Sequence, residues 1–195
     1  MIDTNFILDR LVNWTVQHSG HEERGYIGLS GIYECERAIY ERVRFGQRWS
    51  VDEHVRSRLS FELEAALIER LQGTGLYGDR EEISLYDGMV QGHTDGSLVT
   101  PAERVVLEIK TISYDAHFPS GRLPERVYWQ VQAYMHYLQR REALVLYMAR
   151  ASGEVRAYPV RYNGRVGTVI DAKVSRLVEA IQHVERPECS CGECE

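Results

Sequence analysis

The amino-acid sequence predicts an α+β (α/β) chain with a mixed central β-sheet flanked by helices. Three observations carry this expectation. Short strand-like segments follow one another from Glu82 to Thr111, helical periodicities lie on both sides of them, and the strands carry two carboxylates and an ammonium in the motifs GHTDG and VVLEIKT.

The elements follow in order. Asn5 to Gln17 has helical spacing, Gly31 to Phe45 reads as a second helix carrying Cys35, and Asp52 to Leu71 as a third. In the third, Leu59, Phe61, Leu63, Leu67, Ile68 and Leu71 form one arc at about 100° per residue, while Glu62 and Glu69 point away. Gly73 to Gly78 breaks the pattern. Strands are expected near Glu82 to Tyr86, Met89 to His93, Gly96 to Val99 and Arg104 to Thr111, with a turn at Thr100 to Glu103. A loop from Ser113 to Leu123 leads into a helix from Pro124 to Arg140. Pro124 and Glu125 suit the start of that helix, and Arg140 and Arg141 complement its end. Two strands, Ala143 to Arg150 and Glu154 to Tyr162, turn at Ser152-Gly153 and precede a helix from Val166 to His183. One domain is expected over residues 1–195, with an N-terminal helical part (1–50), a core (51–162) and a C-terminal helix with a cysteine-rich tail (163–195).

Within Val105 to Lys110, strand alternation puts Glu108 and Lys110 on one face, and Leu107 and Ile109 on the other. Asp95 lies between Gly92 and Gly96, where the backbone bends easily toward a neighbouring strand. Carboxylates and the Ile109 carbonyl are hard oxygen donors suited to Mg²⁺ or Mn²⁺, and an ammonium beside them orients or stabilises a hydroxide nucleophile. That chemistry hydrolyses phosphodiesters. Alone, Glu-x-Lys is equally a solvated surface pair. Glu64 adds weight, because it falls inside the apolar arc of its helix. A carboxylate there is either paired with a core arginine, at the exposed edge of the stripe, or bound to metal. Three acids around one point repel by about 1 to 4 kcal/mol per pair at about 4 Å, and a divalent cation reverses the sign. Gln130 sits one turn before Tyr134, at the border of a stripe of Val127, Val131, Tyr134, Met135 and Leu138; its amide either holds water or a phosphate at such a site, or the two residues are an ordinary helix edge.

Taken in order, a helix with an acid, Gly-x-x-Asp-Gly, Glu-x-Lys and Gln-x-x-x-Tyr resemble the RecB-like branch of the PD-(D/E)XK nucleases, from about Cys35 to the C-terminus. The resemblance implies a restriction-endonuclease-like core with Glu64, Asp95, Glu108 and the Ile109 carbonyl as metal ligands, Lys110 as the catalytic lysine, and Gln130 and Tyr134 in support. Many relatives carry histidine where Glu64 stands and glycine where Ser60 stands; glutamate there is similar to phage lambda-type exonucleases. Cys35 stands alone near the start, and Cys189, Cys191 and Cys194 crowd the end. One early and three late cysteines enclosing the motifs resemble the iron-sulfur nucleases of the CRISPR-associated Cas-four type and the AddB type, as does Cys35-x-Arg37-x-x-Tyr40. In them a 4Fe-4S cluster staples the two ends of the chain. The tail spacing, Cys-x-Cys-x-x-Cys, is tighter than theirs; four thiolates also suit Zn²⁺, and unrelated free thiols are a third reading.

With 195 residues, 44% of them hydrophobic, the chain can bury a sizeable core. No apolar run is long enough for a membrane span and no export signal is evident, so a cytoplasmic protein with no membrane partner is expected. The net charge of −6 is unusual for a protein that binds phosphates. Part of it is local, since metal-binding carboxylates count as bare charge. Cations gather in Arg37, Arg42, Arg44, Arg48, Arg122 and Arg126, either as a DNA path or as solvated helix faces. Tyr114, Phe118 and His117 near Arg122 either stack bases or tuck onto the core. His93 is expected to be structural, scattered histidines argue against a zinc protease, and the lack of Gly-x-x-x-x-Gly-Lys leaves any ATP motor to a partner.

The expectation is a metal-dependent DNA exonuclease acting on single strands or duplex ends. The resemblance implies a setting in CRISPR adaptation or recombination, with partner proteins of those systems, and allows a homo-oligomer. The competing class is a catalytically silent DNA-binding or docking module that keeps the fold and the cysteine site.

Overall fold

The computed structural model describes residues 4–17, 25–46, 50–101 and 103–192. Five α-helices run over Thr4–Gln17 (α1), Glu36–Phe45 (α2), Val51–Gly73 (α3), Glu125–Leu138 (α4) and Gly164–His183 (α5). Eight strands run over Ile27–Gly28 (β1), Tyr77–Gly78 (β2), Glu82–Leu85 (β3), Val90–His93 (β4), Gly96–Val99 (β5), Arg104–Ile112 (β6), Glu142–Ala149 (β7) and Val155–Arg161 (β8). Among the described residues, no helix is long and apolar enough to cross a membrane.

The central sheet is mixed, in the order β2-β5-β6-β7-β8. Within it, among the described residues, β6 and β7 alone pair in parallel, and parallel neighbours need a crossover, which α4 supplies. The β3–β4 hairpin does not join this sheet. It forms a second one with β1, in the order β1-β4-β3. The chain therefore passes from one sheet to the other at Thr94-Asp95. Buried Thr94 pins the crossing, its Oγ1 accepting from the Glu81 amide (2.9 Å) and its own amide donating to the Glu81 carbonyl (3.0 Å). Of the two shortest strands, β2 lies in the glycine-containing break expected over Gly73 to Gly78, and β1 lies in a segment for which no element is expected.

Helix boundaries follow local chemistry. At the start of α3, Ser50 and Glu53 form a reciprocal capping box, with Ser50 Oγ accepting from the Glu53 amide (3.3 Å) and Glu53 Oε2 from the Ser50 amide (2.8 Å). Asn163 caps α5 by accepting from the Arg165 amide at 3.1 Å. The helix expected from Gly31 instead begins at Glu36. A 3₁₀ turn over Leu29–Gly31 comes first, and Cys35 is the extended N-cap at φ −54°, ψ 138°. Tyr86, Asp87 and Gly88, all at positive φ, lie in the four-residue connection 86–89 of the β3–β4 hairpin, where the Gly88 amide returns to the Leu85 carbonyl at 3.2 Å and the Met89 amide to the Tyr86 carbonyl at 3.1 Å.

β6 is buried on both faces. Leu107 and Ile109 join Leu67, Leu146 and Met148 beneath Leu63, Ile68 and Leu71 of α3. Val106 faces the larger core, which contains Val131 and Met135 of α4 and Ile170, Val174 and Leu177 of α5. The apolar arc of α3 is thus used only in its C-terminal half; Leu59 and Phe61 remain 46% exposed.

Gln132, fully buried on α4, ties this layer to the end of the sheet. Its Nε2 donates to the Arg161 carbonyl (2.8 Å) and its Oε1 accepts from the Asn163 amide (2.8 Å). Gln132→Met keeps the shape and strands both backbone groups. It is expected to lower unfolding stability by about 2 to 4 kcal/mol in urea denaturation, whereas a change below about 0.5 kcal/mol would show that neither bond matters.

Candidate active site

A cleft of about 270 Å³ opens where the two sheets meet α3 and α4. It is lined by Glu64, Arg80, Asp95, Glu108, Ile109, Lys110, Gln130 and Tyr134, among others. Glu64 comes from α3, Asp95 from the crossing between sheets, Glu108, Ile109 and Lys110 from β6, and Gln130 and Tyr134 from α4. Residues spread over seventy positions therefore meet in one place.

Each side chain is held by its neighbours. β5 pairs with β6 only from Arg104 to Leu107, so beyond Leu107 the β5-facing edge of β6 needs other partners. Asp95 provides one: its Oδ2 accepts from the Ile109 amide at 2.6 Å. The amide and carbonyl of a strand residue share one side, so the Ile109 carbonyl also opens toward Asp95. Tyr77 donates its hydroxyl to the Asp95 carbonyl (2.9 Å), and its ring occupies the space that a side chain at Gly96 would take. A Cβ at Gly92 would stand 2.9 Å from Leu29 Cδ1 and 3.1 Å from Tyr134 Cε1, so glycine allows Tyr134 to close over β4. Glu108, only 2% exposed, accepts through Oε1 from Lys110 and from Gln130 Nε2 (2.8 Å), and Gln130 also donates to Tyr134 Oη at 3.1 Å.

The other oxygen of Glu108, Oε2, is buried with no hydrogen-bond partner. An orphaned carboxylate oxygen is costly to bury. Together with Asp95, Glu64 and a free carbonyl edge, it makes a hard-oxygen donor set that a divalent cation fits.

The electrostatics agree. Burial, and then the charge of Asp95, push Glu64 up to about 7, with Arg80 and Lys110 opposing. Burial also raises Asp95 and Glu108. Burial works to lower Lys110, but Glu108 and Asp95 outweigh it and hold the ammonium above its ordinary range. Arg80 donates to Glu64 Oε1 at 2.5 Å. Glu64 is thus paired with an arginine, but with an exposed one and not one from the core. Glu62 faces solvent and pairs with Arg58 at 2.9 Å.

No protein-family model matches the sequence, and no curated protein does. Solved structures do. The protein SSO0001 superposes with a TM-score of 0.62 at 17% identity, over 96% of this chain and 93% of that one. LHK-Exo, an alkaline exonuclease from Laribacter hongkongensis, superposes in its complex with dAMP with a TM-score of 0.63 at 14% identity, over 83% of this chain and 90% of that one. A phage-related exonuclease from Haemophilus somnus 129PT gives 0.51 at 12% identity, over 76% and 80%. The chain shares the fold of these structures, mixed sheets flanked by helices in a restriction-endonuclease-like core.

Around this core the remaining candidates separate. Arg126 is exposed but close enough to Lys110 for its charge to be felt there. Arg122 is exposed at the end of the loop before α4. In the same loop, Tyr114 is 62% exposed and packs edge-on against exposed His117 (5.7 Å), while Phe118 is buried beneath the Arg156 guanidinium (4.2 Å). Neither Tyr114 nor His117 lines the cleft; His93 does. Arg37 lies on α2 beside the cysteines, bonded to Glu41 at 3.1 Å. Arg42 pairs with Glu34, and Arg48 falls outside the described residues. Arg80 and Tyr77 escaped sequence reading because they follow a glycine-rich break and belong to no periodic pattern.

Cys35, Cys189 and Cys191 come together although up to 156 positions apart, their sulfur atoms all within 4.8 Å of one another. Cys189 Sγ and Cys191 Sγ lie 3.5 Å apart, and Cys194 lies outside the described residues. Burial works to raise the Cys35 thiol. Hydrogen bonds from the amide and hydroxyl of Ser190 and from the Arg37 and Ala38 amides, at the head of α2, outweigh it and bring the group down to about 5. Ion pairs clamp α5 and the tail to α2: Arg176 to Glu36 at 2.5 Å, and Arg186 to Glu41. Three sulfurs with a stabilised thiolate among them suit a soft metal centre.

Carboxylates raised by burial are ionised at a cost to the metal-free fold. The stability they contribute is full below the unfolded carboxylate range and is lost as pH rises through about 7, where Glu64 titrates. The melting temperature of the protein freed of divalent ions in the cleft is therefore expected to fall between about pH 4.5 and about pH 7 and to level off above, and the increment from added Mg²⁺ to grow over the same interval. Glu64→Gln should flatten both slopes; unchanged slopes in that variant would remove Glu64 from the site.

Proposed function

We propose that the chain is a metal-dependent DNA exonuclease, acting on single strands or duplex ends as one nuclease domain. The observation that carries this reading is the convergence of Glu64, Asp95, Glu108 and Lys110 on a single cleft, with one oxygen of Glu108 buried and unpartnered. Two neighbours in fold are named exonucleases, and one was solved with a deoxynucleotide, dAMP, which supports DNA as the substrate class.

Glu64, Asp95, Glu108 and the Ile109 carbonyl would hold Mg²⁺ or Mn²⁺. Bound there, the ion supplies Lewis acidity, lowering the pKa of water and offsetting charge on the scissile phosphate. Lys110, anchored on Glu108, presents a fixed positive charge that orients the attacking water and stabilises negative charge on the phosphoryl oxygens. Gln130 holds Glu108 in one rotamer, Tyr134 in turn steadies Gln130, and the Ile109 amide and Tyr77 do the same for Asp95. Arg126 and Arg122, with Tyr114 and His117 beyond them, extend the approach for the strand, and Arg37 lies farther off beside the cysteines. A setting in CRISPR adaptation or recombination, with partner proteins of those systems, and a homo-oligomeric form remain part of this reading.

Lys110→Ala and Glu108→Gln are each expected to lower Mn²⁺-dependent hydrolysis of a labelled oligonucleotide by about a hundredfold or more. Binding of the oligonucleotide in Ca²⁺ should persist in Lys110→Ala. A wild-type protein that releases no nucleotide with its cysteine site fully loaded would instead be a silent DNA-binding module.

The cysteine centre is read as a 4Fe-4S cluster, with Cys194 as fourth ligand to Cys35, Cys189 and Cys191; Zn²⁺ is the alternative. Anaerobic purification should give a brown protein with about equal iron and acid-labile sulfide, lost in Cys35→Ser. A colourless protein holding about one zinc per chain would replace the cluster with a structural zinc.

A further inference from the structure

Arg80 stands in the turn between β2 and β3, and its backbone has little freedom. On one side Gly78 is paired with Ser97 and the Asp79 carbonyl accepts from Ser97 Oγ at 3.3 Å; on the other, Glu81 is bound to Thr94 through both backbone groups and its side chain pairs with Arg140. Only the Arg80 side chain is left to move. That side chain is 57% exposed, whereas its partner Glu64 is 14% exposed. The pair is therefore unequal. Water can solvate the guanidinium without Glu64, but the near-buried carboxylate, facing Asp95 and Glu108 across the cleft, needs a counterion.

Resting on the metal-dependent reading above, we propose that Arg80 is a resident counterion that a divalent cation displaces from Glu64, and that the freed guanidinium then grips a phosphate of the DNA strand in the cleft. A guanidinium held on the same carboxylate as a doubly charged ion is repelled by it, and the half-exposed Arg80 side chain can swing away into solvent at little cost. Once released, its planar fork matches two phosphate oxygens, and its fixed backbone keeps it at the cleft wall beside Asp95 and Lys110. Arg80 would thus neutralise the site when it lacks metal and serve as a phosphate-binding residue when it is loaded.

The proposal predicts opposite effects on two ligands. Arg80→Gln should bind Mn²⁺ about fivefold or more tightly than the wild type in calorimetric titration without DNA, because competition for Glu64 is gone. In Ca²⁺ the same variant should bind a short single-stranded oligonucleotide about tenfold more weakly. The slope of log affinity against log salt should fall by about 0.7, the worth of one phosphate contact. Arg80→Lys, which keeps the charge but loses the fork, should recover the salt slope and only part of the affinity. Unchanged or weaker Mn²⁺ binding in Arg80→Gln, or DNA affinity and slope equal to wild type, would overturn the proposal while leaving the nuclease reading intact. Failure of the wild type to bind Mn²⁺ more tightly than Glu108→Gln would overturn both.

Discussion

Three carboxylates sharing one small cleft repel one another, and the protein around them is arranged to hold them there. Glu108 is fixed by Lys110 and Gln130, Asp95 by the Ile109 amide, and Glu64 by Arg80. Each contact offsets part of the repulsion, yet Glu64 stays raised to about 7 and one oxygen of Glu108 stays buried without a partner. Protonation relieves this repulsion below about pH 7; above it, a cation carrying more charge than one lysine and one arginine would do so. The fold supplies the frame, and the donor atoms point to a hard divalent cation.

What brings the acids together is a fault line between two sheets. Had the β3–β4 hairpin continued the central sheet, Asp95 would lie within a paired strand and the edge of β6 beyond Leu107 would be covered. Instead β5 ends its pairing at Gly96, the chain crosses at Thr94-Asp95, and the carboxylate of Asp95 takes the place of the missing strand neighbour. Gly96 and Gly92 are needed there because the Tyr77 and Tyr134 rings fill the volumes that side chains would claim. α3 closes one wall using only half of its apolar arc, which leaves Phe61 lining the cleft rather than the core.

A separate constraint joins an early and a late segment of the chain. Cys35 sits at the head of α2, where helix amides favour a thiolate, and the tail following α5 is drawn to it by Arg176 and Arg186 as well as by sulfur. Ion pairs on this surface contribute little individually. Their value is positional, since they bring Cys189 and Cys191 within reach of Cys35 before any metal is added.

Much of this was legible in the amino-acid sequence, for physical reasons. Strand alternation places Glu108 and Lys110 on one face, and helical periodicity places Glu64 in an apolar arc and Gln130 one turn from Tyr134; these are local properties that hold in any fold containing those elements. The limits of α3, α4, β5 and β6 follow the same patterns and caps. The split into two sheets, the start of α2 at Glu36 rather than near Gly31, and the short strands β1 and β2 depend on partners distant in the chain, which no local pattern contains. Arg80 is the clearest case. Nothing in Gly78-Asp79-Arg80 distinguishes it from a solvated arginine, and only tertiary structure sets its guanidinium against Glu64, because the acid it neutralises is made unusual by burial and by two other acids from elsewhere in the chain.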